Sequence, residues 1–376
     1  MSALADRIIR TARRSNFTRI GSIGLDCSLT ELHLVQLRVN ADGRISLHAM
    51  ASLPYPESRE SLLAAPKKMR SLIQQALKAD RFQGKEVVTT LPASDVRIMP
   101  VSYHVEEGQS DEAALLRLLS ERIDEDLNEF VIDYLPVRSG TSSASRLAIV
   151  ALARRETVIG YLEVLRKAGL EARQVEIGPA AIRRLVSTLG PQDRHENVLA
   201  INFGRHASYI TVVSGARLLL DQEIRFGETG LLEDIAGELD MPLDAVRVLL
   251  ENNSIAPVPM PVRGSGSGSD IDIAATLQEI IKPMLRVLTE EVNRVLVYTA
   301  SQTHGEPVSR IYLMGSLARW QGMDGLLNSM VKLPVETIPD PLKAFYTEDN
   351  PSAGRRPRPE IAVATGLALN GIYKDG

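Results

Sequence analysis

The chain has 376 residues, of which 44% are hydrophobic and 24% charged, and its formal net charge at pH 7 is -4. That length calls for two or three core-forming units of a soluble globular protein. The mild acidity gives no support to a general nucleic-acid binder, and an aromatic content of 4% disfavours a stacking surface for single strands.

Cys27 is the only cysteine, which rules out an intramolecular disulfide and a thiolate metal cluster and suits a reducing compartment. No apolar run approaches the ~20 residues that span a bilayer. Signal-peptide and lipidation motifs are lacking as well, so a cytoplasmic protein is expected, attached at most to a membrane surface.

Residues 1–17 read as a basic amphipathic leader. Leu4, Ile8 and Ala12 recur at helical spacing, and Arg7, Arg10, Arg13 and Arg14 face the single acid Asp6. This pattern fits an interfacial helix on anionic lipid, or equally a leader docked on its own domain. Next comes IGLDCSLTELHLVQLRVNADGRISLHAMASL, Ile23 to Leu53: an apolar strand ending in Asp26, a small polar turn at Cys27-Ser28-Leu29-Thr30, and two further strands joined at Asp42-Gly43. A single long helical stretch over 58–79 is predicted next, then strands around Val87–Thr90 and Val96–Tyr103. The pattern of 111–130 predicts a helix with Leu115, Leu118, Leu119 and Ile123 on its buried stripe. RLAIVALA reads as a buried strand, and ETVIGYLEVLRKAGL as a helix closed by Gly169. Alternation of this kind points to a layered α/β protein.

The opening pattern then returns. NVLAINFGRHASYITVVSGARLLLDQEIRFG is again strand, small polar turn, strand, tight turn, strand, with Asn202 standing where Asp26 stood and Ser214-Gly215 in the role of Asp42-Gly43. A whole supersecondary unit repeated half a chain apart indicates two related lobes. Helix LDAVRVLLENN follows, then a Pro-rich and Gly/Ser-rich surface loop over 254–270. A long helix from about Ile271, a strand meeting Gly315-Ser316, and a final apolar helix PEIAVATGLALNG complete the chain.

Two such meanders followed by a strand–Gly–small element resemble the actin/Hsp70/sugar-kinase fold. IGLDCSLTELHLVQL, VALARRETVIGYLEVLRKAGLEARQVEIGPAAIRRL, PMLRVLTEEVNRVLVYTASQ, IYLMGSLARWQGMDGLL and IAVATGLALNG, in that order, resemble the actin-like PilM family of type IV pilus assembly proteins over nearly the whole length. The resemblance implies a two-lobed, ribonuclease H-like α/β fold with a nucleotide-type cleft between the lobes. It implies a first lobe over 18–194 carrying an inserted α/β subdomain, a second over 195–345, and a C-terminal segment 346–376 returning to the first. Nucleotide contacts are then expected from Asp26, Ser28, Thr30, Asn202, Gly204, Gly227, Gly315 and Ser316, with ATP as the nucleotide and Asp26 on the magnesium side.

The chain departs from the family where the phosphates would sit. Ser28, Leu29, Thr30 and Glu31 replace a glycine and small hydroxyl residues, and His33 replaces a lysine. Asn202 replaces the second acid, Gln222 an arginine, and Ser316 the second glycine of the adenosine turn. Backbone N–H groups in a concave run bind phosphate, and a carboxylate beside them holds Mg²⁺ through waters. Asp26 fits that task, or else it caps its own turn. Asn202 brings no charge, so weak ATP and magnesium binding is expected, with no catalytic residue. Arg205 and His206 stand on the second turn as contacts of phosphate or of solvent, and Met314 reads as core. The resemblance implies a scaffold that binds the cytoplasmic tail of a PilN-like inner-membrane protein, alongside other pilus components and an anionic membrane surface, with no nucleic acid. The alternatives are a kinase or phosphatase of the same fold and an FtsA-like membrane-associated filament protein.

Overall fold

The structure is a computed structural model, and it describes residues 18–28, 30–137, 145–189, 196–215, 217–256, 270–303, 305–338, 340–347 and 358–372. The leader 1–17, Leu29, and residues 257–269 of the expected surface loop lie outside the described residues. Two compact units emerge. The first takes the described residues before 191, those from 341 to 347, and those from 361 onward, and the second takes 196–340 and 358–360.

The first unit opens with β1 (Arg19–Ile20), β2 (Ile23–Cys27), β3 (Glu31–Val39) and β4 (Ile45–Pro54), an antiparallel meander. Leu32, Leu34, Val35 and Leu37 of β3 are all buried, so this strand is covered on both faces. Its one central amide, Gln36, is satisfied: Nε2 donates to the Gly21 and Gln83 carbonyls and Oε1 accepts from Gln83 N. The stretch 58–79, predicted as one helix, is two: α1 (Arg59–Ala64) and α2 (Pro66–Ala79). Pro66 supplies the reason. Its ring disfavours helical geometry at Ala65, which sits at φ -117° and ψ 76°, and proline is itself favoured at a helix start.

β5 (Glu86–Thr90) then pairs parallel to β2. An insertion follows: β6 (Arg97–His104), α3 (Asp111–Arg122), β7 (Phe130–Val137) and β8 (Ser145–Arg154), with the strands in the order β6-β8-β7. Leu115, Leu119 and Ile123 pack on Val101, Phe130 and Val150, as the periodicity of 111–130 predicts. The helix stops earlier than expected, with Ile123 already extended and a short 3-10 turn at Leu127–Glu129. Acids at 124–126 would lie at the negative end of the helix dipole, and Asp126 instead caps that turn. α4 (Arg155–Ala168) ends on Gly169 in the left-handed conformation, and β9 (Glu171–Glu176) joins β5 in parallel before α5 (Gly178–Leu189).

The second unit repeats this plan. β10 (Asn197–Phe203), β11 (Ser208–Ser214) and β12 (Arg217–Ile224) form an antiparallel meander. Next come α6 (Glu228–Leu239), α7 (Leu243–Asn252) and the 33-residue α8 (Asp270–Gln302), whose Leu277, Ile281, Leu285, Leu288, Val292 and Val295 make one buried stripe. β13 (Val308–Gly315), α9 (Met323–Val331) and β14 (Val335–Thr337) complete it, and the sheet runs β12-β11-β10-β13-β14 with β13 parallel to β10 and to β14. Each unit is thus a meander extended by two parallel strands.

The chain closes on the first unit with α10 (Ala362–Ile372), buried along nearly its whole length. It lies so close to β2 that a Cβ on Gly24 would fall 2.2 Å from the Ala364 carbonyl oxygen and 2.4 Å from Ala368 N. Only a glycine permits that approach.

Candidate functional site

Asp26 is the fourth residue of β2, opposite His33 on β3 and Thr90 on β5, at the carboxyl ends of the parallel strands. It is 7% exposed. Burial pushes its carboxyl up to about 7, against the pull of the Arg59 guanidinium. The turn beyond it is closed by its own side chain. Ser28 Oγ donates to the Glu31 carbonyl at 2.9 Å and accepts from Glu31 N at 3.2 Å. The Thr30 carbonyl accepts from Tyr55 N at 2.9 Å, which ties the turn to the chain leaving β4. Glu31 extends toward His33, with Oε2 3.9 Å from Nε2, while His33 Nδ1 lies 2.9 Å from Ser52 Oγ.

Cys27 proves to be core. Burial pushes its thiol up to about 12, and its sulfur lies 3.5 Å from the Tyr161 hydroxyl, itself 2.6 Å from Thr89 Oγ1.

Sequence reasoning missed Arg59. This first residue of α1 has a side chain only 4% exposed. Its Nη2 donates to Ser94 Oγ at 3.2 Å and lies 3.5 Å from Glu60 Oε1 and 3.6 Å from Asp95 Oδ1. Nε and Nη1 are buried with no hydrogen-bond partner among the described residues. The available signal was a cation in the first turn of a helix, where the dipole favours an anion.

In the second unit the expected residues do converge. Asn202 pairs with Tyr209 and Met314 in the strand register. Gly204 N–H donates to the Ala207 carbonyl at 3.1 Å, and the Gly204 carbonyl accepts from Glu228 N and from Ser316 Oγ. Thr229 N donates to the Arg205 carbonyl at 2.8 Å, so the turn's own carbonyls cap the start of α6. Gly227 is packed on that turn, with its Cβ position 2.4 Å from the Arg205 oxygen. Gly315 has φ 81°, and a Cβ there would meet the Phe203 carbonyl at 2.1 Å. Ser316 is 3% exposed and Met314 is fully buried. Gln222 Nε2 donates to Glu291 Oε2 at 3.2 Å. His206 is exposed on the turn and Arg205 half-buried.

These residues do not fit a magnesium-bridged triphosphate. Ser28 Oγ and Gly204 N–H, two of the groups that would meet phosphate oxygens, are already hydrogen-bonded within their turns. Asp26 is held toward its neutral form by burial and stands within Coulombic reach of a buried cation, whereas a magnesium ligand must be ionised. Among the described residues, no cluster of three or more His, Cys, Asp or Glu is arranged to hold a metal.

Two meanders, each extended by parallel strands, with a turn residue of Asp or Asn at the carboxyl end of the first strand, define an actin-like α/β protein. The family model described as "Type IV pilus assembly protein PilM" matches residues 24–256, and the chain belongs to that family. Among solved structures, a chain of a PilM-PilN type IV pilus biogenesis complex is similar over 94% of this chain and 99% of its own, with a TM-score of 0.69 and 23% identity. The ethanolamine utilization protein EutJ from Carboxydothermus hydrogenoformans is similar over 98% of this chain and 99% of its own, with a TM-score of 0.53 and 13% identity.

Proposed function

We propose that this chain is a non-catalytic cytoplasmic scaffold of type IV pilus assembly, peripheral to the inner membrane, which binds the cytoplasmic tail of a PilN-like membrane protein. The family match over 24–256 carries the reading, and the similarity to a chain of the PilM-PilN complex, covering almost all of both chains, supports it. Among the described residues no helix is long and apolar enough to cross a membrane, so attachment would come through partners and through the arginines of residues 1–17. The two turns, closed on themselves, favour weak ATP binding or none, and no turnover.

Calorimetry tests the partner. A synthetic peptide covering the cytoplasmic tail of a bitopic protein encoded beside this chain should bind at micromolar concentration, and tails that show no heat would remove the scaffold reading. Flotation tests the leader. Each arginine near an anionic surface contributes on the order of 1 kcal/mol, so the full chain should float with anionic vesicles more than a chain starting at Asn16. Equal flotation would make the leader structural.

A further inference from the structure

We propose that a cavity at the amino end of the first unit's sheet binds a phosphoryl group, carried by a soluble phosphate ester or by an anionic lipid headgroup. The proposal goes beyond the scaffold reading and does not depend on the pilus partner.

The cavity has a volume of about 400 Å³, within the range of small-ligand sites. It lies where β2, β5 and β9 begin, at the other end of those strands from Asp26 and Thr90. Arg19, Lys85 and Arg173 line it against the single carboxylate of Glu86, so positive charge is in excess. The fold places two of these cations deliberately. Arg173 is the extra residue of a bulge in β9, because Ala172 and Gln174 pair with the consecutive residues Val87 and Val88 of β5. A bulge of this kind re-aims a side chain. Arg19 is fixed by Nη2, which donates to the Ile372 carbonyl at the end of α10. Burial, and then the neighbouring Arg173, push the Arg19 guanidinium down from its ordinary value, yet a guanidinium keeps its proton. Like charges are therefore held together here.

The wall also takes up its own acceptors. Buried Gln36 donates through Nε2 to the Gly21 and Gln83 carbonyls, the Gly371 carbonyl accepts from Ser22 N, and the Lys85 carbonyl accepts from Glu171 N. Ser22 Oγ donates to Glu86 Oε2 at 3.3 Å, which occupies part of the one acid. Arginine and lysine side chains carry donors only. A Cβ at Gly84 would meet nothing within 4 Å, so a ligand can approach the backbone there. A phosphate monoester brings up to two negative charges and accepts paired N–H groups from an arginine fork, which matches both the excess charge and the donors. A lipid is the second source because the chain reaches Arg19 directly from the arginine-bearing residues 1–17.

Calorimetry on the full-length protein tests the site with inorganic phosphate and with glycerol phosphate. One site of millimolar affinity or better is expected. Lys85→Ala and Arg173→Ala should each weaken it about tenfold, the worth of a charge-assisted bond, and Glu86→Gln should tighten it. Arg44→Ala, which removes an exposed cation elsewhere on the same unit, should leave it unchanged. Lys85 and Arg173 are exposed, and glutamine replaces alanine at either position if a variant lacks a native melting transition. Flotation with phosphatidylglycerol vesicles, against phosphatidylcholine ones, separates the two sources. Flotation lost in Lys85→Ala/Arg173→Ala but kept in Arg44→Ala assigns the site to a lipid headgroup. Flotation kept by a double variant that no longer binds phosphate assigns it to a soluble ester. Absence of heat from both compounds together with unchanged flotation would overturn the proposal, as would phosphate binding that the double variant retains.

Discussion

The two meanders share a plan and differ in how their first turns are satisfied. Asp26 and Asn202 hold equivalent places, each paired with an antiparallel neighbour on one side, His33 or Tyr209, and a parallel one on the other, Thr90 or Met314. In the first unit the turn is closed by a side chain, Ser28, and its acid, Asp26, is buried. In the second it is closed by backbone, Gly204 to Ala207, with no acid within the turn; its buried carboxylates are Glu228 at the start of α6 and Asp221, in mid-strand and bonded by Thr211 Oγ1 at 2.6 Å. Strand register therefore survives changes in turn chemistry, because packing holds the strands while each turn is closed by its own local hydrogen bonds.

The largest effects should come where that packing admits no side chain. Gly24→Ala would drive a Cβ to 2.2 Å from the Ala364 oxygen, and Gly315→Ala to 2.1 Å from the Phe203 oxygen at a positive φ. Neither backbone oxygen can rotate away, so each substitution is expected to destabilise its own unit by more than about 4 kcal/mol. Trp320, the single tryptophan, is buried in the second unit, so its fluorescence reports on that unit. In urea, Gly315→Ala should move the tryptophan fluorescence midpoint, while Gly24→Ala should move the far-UV circular dichroism midpoint more than the fluorescence one. A native midpoint for either variant would contradict the close approach described for that unit.

Two buried aspartates, Asp26 and Asp221, sharpen the comparison. Burial pushes both Asp26 and Asp221 up to about 7 from an ordinary 3.8. The folded chain thus binds protons that the unfolded chain has released, so stability from each group is fullest below about pH 4 and is lost as pH rises toward 7. Between pH 5 and 8 each accounts for a loss of roughly 3 kcal/mol at 1.36 kcal/mol per pH unit. Asp26→Asn and Asp221→Asn should each flatten this slope, the second in the tryptophan-monitored transition. A variant that tracks the natural chain at both pH 5 and pH 8 would mean that the carboxyl it replaces is solvated.

Much of this was legible in the sequence, for identifiable reasons. The meanders show because apolar runs are separated by turns such as Ser214-Gly215, and the left-handed end of α4 shows because Gly169 stands where the period stops. The long stripe of α8 shows because nothing in residues 270–302 interrupts it except Pro283. The break at Ala65–Pro66 was hidden because the apolar spacing from Leu62 to Met69 runs through it in phase, although a backbone rule overrides that phase. In the second unit, the placing of Asn202, Gly204 and Ser208 about one turn was readable from the repeat. That the groups of the two turns would be taken up by Glu31, Ala207 and the start of α6 was not, since those partners are backbone atoms and carry no residue signature. Arg59 was invisible for a related reason: its burial depends on Ser94 and Asp95, which only the folded chain brings to it.

The smallest expected effect separates the two turns by the worth of a single hydroxyl. Ser28 is part-buried and bonds to the carbonyl of Glu31, three residues on and itself only half-buried. Ser208, the residue that opens β11, is fully buried, and its Oγ donates at 2.6 Å to the Phe226 carbonyl 18 residues away. Deleting a donor is mild when water replaces it and larger when the acceptor stays buried and unpaired. Ser28→Ala should therefore lower stability by about 0.5–1 kcal/mol and Ser208→Ala by about 1–3 kcal/mol. The ranking is what counts, read from urea midpoints at one pH. Equal losses would mean that the first turn is as tightly held as the second, and that Ser28 anchors the end of β2 instead of merely shaping the turn.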